Sequence, residues 1–149
     1  MTFKERIYES YLQMIESKIR LFQNNLDELK ESSTNETKSS AGDKYETALA
    51  MIHIEQENTN QQLKEALKQK ILFSKIDPAV ITEKIINGSL IKTNKGYFFL
   101  SLALGKTIVD GISVIALSPY SPLGQKLVGL RENDSVQMNG IHYIIENVV

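Results

Sequence analysis

Cysteine is absent from this 149-residue sequence, which excludes disulfide frameworks, thiolate zinc sites and cysteine nucleophiles together. The sequence also lacks a surplus of either charge, because 17 Lys and Arg residues are balanced by 18 Asp and Glu residues. No global positive charge therefore draws the chain to nucleic acid or to anionic lipid. Any contact with RNA would have to be local or indirect.

A long apolar run is missing as well. The longest apolar stretch, near residues 97–104, is far shorter than the roughly 20 residues that a membrane-spanning helix needs. The first six residues mix charged and apolar side chains and do not open into a signal-peptide core. We therefore expect a soluble protein without a membrane partner, and a reducing cytoplasm fits the absence of cysteine.

Residues 3–29 carry an apolar stripe with helical spacing. Its members follow one another every three or four residues: Phe3, Ile7, Tyr11, Ile15, Ile19, Phe22, Leu26 and Leu29. Thr2 and Glu5 have the spacing of a capping box, which predicts that the helix begins where the chain begins. The polar run of residues 31–40 has nothing to bury, so we predict that the helix ends near Leu29 and that a loop follows.

A second helical pattern extends from Asp43 to about residue 76. Its predicted inner side holds Tyr45, Leu49, Ile52, Thr59, Leu63, Ala66, Leu67, Ile71 and Ser74. The middle of this segment is mostly polar, so only a thin seam can face a partner helix. We predict an antiparallel two-helix coiled coil over residues 1–76, an arm about 40 to 45 Å long at 1.5 Å per residue with the loop at its tip.

A different architecture is predicted from residue 77 onward. Asp77 and Pro78 predict the end of the second helix, because proline lacks the amide donor and disfavours helix for the residue before it. Short β-type runs follow at residues 89–93, 97–104, 112–118, 135–138 and 142–148, with turn sequences such as Asp110-Gly111 and Asn139-Gly140 between them. Residues 77–149 therefore predict a small α+β domain with a mostly antiparallel sheet.

Asp43 and Glu46 are the residues most suited to act together on a cation or a water molecule. They lie three residues apart where the loop turns into the second helix, so they share a helix face with their β-carbons about 5 to 6 Å apart. Magnesium prefers oxygen ligands and usually takes only one or two carboxylates from a given protein, so this pair would complete a site whose other ligands belong to a partner. The same spacing is also typical of a helix cap, and spacing alone does not separate the two interpretations.

The remaining candidates give weaker signals. His53 and His142 each stand alone in a predicted helix and a predicted strand, so neither predicts a metal site. The glycines do not follow the Gly-x-x-x-x-Gly-Lys pattern of a phosphate-binding loop, so no nucleotide site is predicted. Ser121 and Pro122 predict the start of a short helix that runs to Leu127, with Gly129 as its stop.

Two segments together resemble the Gre family of transcript cleavage factors. Gly42-Asp43-x-x-Glu46-x-Ala48, followed by Glu55-Gln56, is similar to the arm-tip segment of that family, which reads Gly-Asp-x-x-Glu-Asn-Ala and then Glu-Gln. Ser121-Pro122-Leu123-Gly124 is similar to the family's Ser-Pro-Leu-Gly/Ala segment, and Asp134, Val136, Gly140, Tyr143 and Ile145 continue the match. The sequence departs from the family at Thr47, where asparagine is usual, and at the bulky Tyr45.

The resemblance implies a protein partner and a different role for each of the two parts of the chain. Residues 77–149 would be an FKBP-like domain that docks on RNA polymerase at the mouth of its secondary channel through Ser121, Pro122, Leu123 and Gly124. Asp43 and Glu46 would help to hold a Mg²⁺ ion shared with the polymerase and to orient the attacking water. The polymerase would then cleave the 3′ end of backtracked RNA.

Under this resemblance the chain is an accessory factor and not an enzyme. It would act as a monomer, without a tightly bound cofactor of its own. Two alternatives stay open. The departures at Tyr45 and Thr47 motivate a regulator that occupies the same channel without promoting cleavage. The coiled coil and the FKBP-like domain motivate, in a different class, an adaptor or a prolyl isomerase that has no contact with the polymerase.

Overall fold

The computed structural model describes the backbone of residues 1–38 and 42–149 and the side chains of residues 1–35 and 44–149. In this part of the chain, two long helices, α1 (Phe3–Lys38) and α2 (Gly42–Phe73), precede a sheet and a short helix. The strands are β1 (Leu90–Thr93), β2 (Gly96–Leu100), β3 (Gly105–Val109), β4 (Ile112–Leu117), β5 (Ser135–Met138) and β6 (Ile141–Val148), and the short helix is α3 (Pro122–Leu127). This confirms the predicted α+β class with a helical hairpin ahead of a sheet.

The chain divides into two compact units. The sheet unit comprises Met1–Gln13 and Leu72–Val149, and the hairpin unit comprises Met14–Ile71. The first turns of α1 and the last turn of α2 therefore belong to the sheet unit. The functional division into a reaching arm and a docking domain stays a prediction.

The sheet has the order β3-β4-β2-β1-β6-β5. Its pairs are antiparallel except for β2 and β4, which are parallel. Strand β3 was not predicted, because residues 97–104 read as one continuous apolar run. The chain instead leaves the β2 strand after Leu100, bends over residues 101–103, and begins β3 at Gly105, whose φ of 78° is a conformation that side chains with a β-carbon rarely adopt.

Both faces of the sheet are covered in its centre. Adjacent residues of a strand point to opposite faces, yet Phe98 and Phe99 are both buried. Phe98 belongs to a core that includes Leu127 of α3. Phe99 contacts Tyr11 of α1 and Phe73 of α2, with ring centroids 6.3 and 6.1 Å away. The two long helices therefore contribute their ends to the core of the sheet unit.

Tyr11 also makes polar contacts inside that core. Its hydroxyl donates to the carbonyl oxygen of Gly105 at 2.7 Å and lies 3.0 Å from that of Val114. Burial raises the pKa of Tyr11 to about 12, because the charged phenolate would lose its hydration. The hydroxyl thus ties the first turns of α1 to the neighbouring strands β3 and β4.

In the hairpin unit, α1 is longer than predicted. It does not end near Leu29 but continues to Lys38 through a polar sequence. Extending an existing helix adds one hydrogen bond for each residue fixed and avoids the cost of nucleation, so polar residues can sustain it. Thr34 contributes locally, since its hydroxyl donates to the carbonyl oxygen of Lys30 at 3.1 Å. The predicted loop of residues 31–40 is therefore helical through residue 38, and its last two residues lie outside the described part of the chain.

The inner side of α2 also differs from the prediction in its second half. Its buried or half-buried positions are Tyr45, Ala48, Leu49, Ile52, Gln56, Thr59, Leu63, Ala66, Gln69 and Phe73. Apart from Ala48, the positions from Tyr45 to Ala66 alternate between intervals of four and three residues, which is the 3.5-residue period of a coiled coil. Leu67 and Ile71 were predicted on this side but are 42% and 62% exposed, and Ser74 follows the end of the helix. The half-buried residue between Ala66 and Phe73 is Gln69, whereas Lys70 is exposed, with its ammonium 3.7 Å from a carboxylate oxygen of Glu16.

Candidate functional site

The acidic pair lies at the beginning of α2. Because the helix starts at Gly42, Asp43 and Glu46 occupy its first turns, three residues apart along one helix. The side chain of Glu46 is exposed, whereas that of Asp43 lies outside the described residues. The helical position of both residues is therefore established, and the environment of the side chain is established for Glu46.

The neighbours of Glu46 are distributed over different sides of the helix. Tyr45 is half-buried and belongs to the seam with Leu49, whereas Lys44 and Thr47 are exposed. Successive helical residues are separated by about 100° around the axis, so the seam position of Tyr45 points away from the exposed face of Glu46. The bulky ring that departs from the Gre pattern is thus accounted for by packing within the hairpin unit.

The chemistry open to this position is that of an exposed carboxylate. The oxygens of Glu46 are accessible to water, to a cation or to a partner's donor group. The first turn of a helix also stabilises carboxylates through the helix dipole, so Asp43, the second residue of α2, suits a structural role in starting the helix. Among the side chains that the structure describes, no group of three or more His, Cys, Asp or Glu residues is suited to hold a metal ion.

The predicted docking segment forms a capped helix. The hydroxyl of Ser121 accepts a hydrogen bond from the Gly124 amide at 3.1 Å and donates to the carbonyl oxygen of Ser118 at 2.6 Å. Pro122 occupies the first helical turn, as the sequence predicts. Gly124 is buried, and a β-carbon there would lie 2.0 Å from the Ser118 carbonyl oxygen. Ser121 and Gly124 therefore build the turn, while Leu123 packs partly against the core of the sheet unit.

The exposed surface of this segment combines Pro122, a predicted docking residue, with Tyr120, which was not predicted. Tyr120 precedes the helix and is 85% exposed, and the neighbouring Pro122 is also exposed. The side-chain amide of Gln125 donates to the Tyr120 carbonyl oxygen at 2.8 Å, which fixes the backbone on which the ring is carried. One feature of the sequence could have identified Tyr120. It is an aromatic residue inside a turn sequence, where neither helical nor strand periodicity predicts a buried position.

The two histidines lie apart from both segments in sequence. His53 is exposed on α2, and His142 is exposed on β6. In the described residues, no helix combines the length and the apolar character needed to cross a membrane.

Comparisons with known proteins add a distant likeness. No family model matches the sequence. No curated protein sequence matches it significantly. Among solved structures, that of a protein described as "the transcription factor Gfh1" is similar at 17% sequence identity, over 95% of this chain and 92% of that chain, with a TM-score of 0.34. A likeness of this strength does not assign a function.

Proposed function

We propose that this protein is a transcript cleavage factor. In this proposal it binds RNA polymerase in the secondary channel and stimulates the polymerase's own endonucleolytic cleavage of backtracked RNA, which rescues arrested complexes. The observation that carries the proposal is the exposed Glu46 on the first turns of α2, three residues after Asp43, at the turn of a two-helix hairpin. The capped helix at Ser121, within a separate sheet unit, supports it as a second element of the same pattern.

The carboxylates would act on the attacking water. An exposed carboxylate accepts a hydrogen bond from water and so holds the lone pair of the oxygen toward the phosphorus atom. Glu46 is accessible for this role, and Asp43 occupies the neighbouring position along the helix. The protein alone would then lack activity, because the RNA and the remaining ligands belong to the polymerase.

The two positions also fit a shared Mg²⁺ ion. Their donor set consists of carboxylate oxygens, and one or two carboxylates are the usual contribution of a single protein to such an ion. When bound, the ion supplies Lewis-acid polarisation of the phosphodiester and lowers the pKa of the attacking water.

Docking is proposed for the sheet unit. Within the segment 120–125, the exposed Tyr120 and Pro122 would contact the polymerase, while Ser121 and Gly124 hold the backbone in place. Aromatic residues are enriched among interface residues that contribute most of the binding energy. Replacing Tyr120 with alanine should therefore weaken binding to the polymerase without lowering the melting temperature, and unchanged affinity would reject this docking surface.

The decisive experiment is RNA cleavage in a purified, backtracked elongation complex from the same organism with magnesium present. We expect wild-type protein to stimulate cleavage and the Asp43→Ala, Glu46→Ala variant to bind equally well but not to stimulate it. Glu57→Ala, which removes another exposed carboxylate of α2, is the matched control and should cleave normally. If the two residues are helix caps alone, the variant would lose about 0.5 to 2 kcal/mol of helix stability and cleave normally, which would overturn the site assignment.

A non-cleaving regulator of the polymerase is the second candidate. The observation that favours it is the exposed Thr47 directly after Glu46, where the Gre pattern has asparagine. Wild-type protein that binds the polymerase without stimulating cleavage would establish this candidate. Failure to bind the polymerase at all would reject both candidates in favour of an adaptor or an isomerase.

A further inference from the structure

Lys4 is a buried charged residue in the sheet unit, only 5% exposed. Its ammonium group donates a hydrogen bond to the carbonyl oxygen of Val80 at 2.7 Å. An ammonium has three donors, and in the part of the chain that the structure describes no carboxylate lies within ion-pair distance of this one. Buried charges in proteins are normally paired with an opposite charge, so the missing partner of Lys4 calls for an explanation.

A cavity of about 240 Å³ lies next to Lys4. Lys4, Lys75, Asp77, Thr82 and Asn87 line it, and all of them belong to the sheet unit. A water molecule takes up about 30 Å³ in the liquid, so the cavity has room for a small ion together with several waters. Lys4 is therefore one of the residues next to which a small ligand in this cavity would lie.

The charges around the cavity leave Lys4 incompletely compensated. Asp77 attracts the ammonium and raises its pKa, but burial has the larger effect and lowers the pKa of Lys4 below its usual value. Asp77 is also engaged with its own turn, since one carboxylate oxygen accepts a hydrogen bond from the Ala79 amide at 2.9 Å. Lys75 adds a second positive charge to the cavity wall, and Glu5 lies on the neighbouring first turn of α1.

We propose that this cavity binds a small phosphate-type oxyanion, with the ammonium groups of Lys4 and Lys75 as its charged donors. The buried ammonium would supply charge-assisted hydrogen bonds, which are stronger than neutral ones. Asn87 also lines the cavity, and its side-chain amide would serve as a neutral donor. This site is independent of the acidic pair on α2 and does not rest on the proposed role in RNA cleavage.

The first test measures the titration of Lys4 itself. The full chain is labelled with ¹³C at lysine Cε, and the Lys4 resonance is followed against pH in phosphate and in chloride of equal ionic strength. Because an oxyanion binds the charged ammonium in preference to the neutral amine, phosphate should raise the pKa of Lys4. The same titration in both salts would overturn the proposal.

The second test uses variants and calorimetric titration with inorganic phosphate. Lys4→Met should weaken phosphate binding at least about tenfold, which is the loss expected for one hydrogen bond to a charged group. Lys75→Met changes an exposed residue and should also weaken binding, so the test survives if Lys4→Met does not fold. Lys106→Met, an exposed lysine on β3 outside the cavity, is the matched control and should bind like wild type.

Asp77→Asn separates the proposal from its main rival. The asparagine oxygen can still accept from the Ala79 amide, but the negative charge that competes with an oxyanion is gone. We expect this variant to bind phosphate more tightly than wild type. Weaker binding would identify Asp77 as the partner of Lys4 and overturn the oxyanion site, and binding of acetate in place of phosphate would overturn the phosphate class.

Discussion

Replacing Tyr11 with phenylalanine would remove one buried hydroxyl from the sheet unit and leave the ring in place. That hydroxyl donates to the Gly105 carbonyl oxygen at 2.7 Å and lies 3.0 Å from that of Val114. The variant keeps the contact with Phe99 but leaves the carbonyl oxygens of Gly105, partly buried, and Val114, buried, without this donor. Loss of one partner of a buried hydrogen bond costs about 1 to 3 kcal/mol, so we expect the free energy of unfolding to fall by that amount near neutral pH.

The same residue predicts a pH dependence that the variant should lack. Burial raises the pKa of Tyr11 to about 12 from the ordinary value of 10.0. Because the folded-state pKa lies above the unfolded one, the stability that the neutral phenol contributes is fully present below about pH 10 and is lost as the pH rises through about 12. Between about pH 9 and about pH 11, the linkage relation gives a loss of about 1.3 kcal/mol for wild type.

Urea denaturation followed by circular dichroism measures both effects. The difference between wild type and Tyr11→Phe should shrink by about 1.3 kcal/mol between the two pH values, because other titrating groups contribute equally to both proteins. Tyr120→Phe removes an exposed hydroxyl and is the matched control, with no expected change at either pH. A difference that stays constant with pH would refute the argument that Tyr11 titrates as a buried group.

Two further predictions concern single contacts of the sheet unit. Gly124→Ala should destabilise the fold by about 1 to 3 kcal/mol in thermal unfolding, because its β-carbon would lie 2.0 Å from the Ser118 carbonyl oxygen, and a variant as stable as wild type would contradict this. The ion pair between Arg6 and Asp110, 2.7 Å long but nearly half exposed at both side chains, should contribute less than about 1 kcal/mol in a double-mutant cycle and still less at high salt. A salt-independent coupling above that value would show that the pair is less solvated than its exposure indicates.

The apolar periodicity of α1 predicted its packing well. Four residues of the stripe are all buried: Ile7, Tyr11, Ile15 and Ile19. They lie on one side of the helix, and packing removes that apolar side from water. The end of the helix was not predictable in the same way, since residues 31–38 are helical although their sequence contains no apolar side chain. Helix extension there depends on the preceding turns, which composition alone does not reveal.

The error on α2 has a specific cause. Apolarity favoured Leu67 and Ile71 as inner positions, but the half-buried residue between Ala66 and Phe73 is the polar Gln69. Strict 3.5-residue spacing from Tyr45 would have excluded both exposed side chains, yet it would have selected Lys70, which is exposed and forms an ion pair with Glu16 at 3.7 Å. Spacing therefore predicted the inner side of α2 up to Ala66 and was wrong by one residue beyond it.

The candidate site shows which parts of a functional prediction a sequence supports. The sequence identified Asp43 and Glu46 by chemical type and spacing, and the structure adds that α2 begins at Gly42 and that Glu46 is exposed. Whether the pair serves as a cap or as metal ligands depends on what approaches it, and no local pattern in the sequence contains that information.

In the segment of residues 120–125, the residues that fix the backbone conformation differ from those that are exposed for contact with a partner. The Ser121 hydroxyl is hydrogen-bonded to the Gly124 amide, and Gly124 has no space for a side chain. Changing either residue should therefore lower stability and binding together. The ring of Tyr120 is exposed, so changing it should affect binding alone. A docking role for this segment therefore requires that polymerase affinity fall in Tyr120→Ala at unchanged stability. If affinity falls only in Gly124→Ala, together with stability, the motif serves the fold of the sheet unit and the docking surface lies elsewhere.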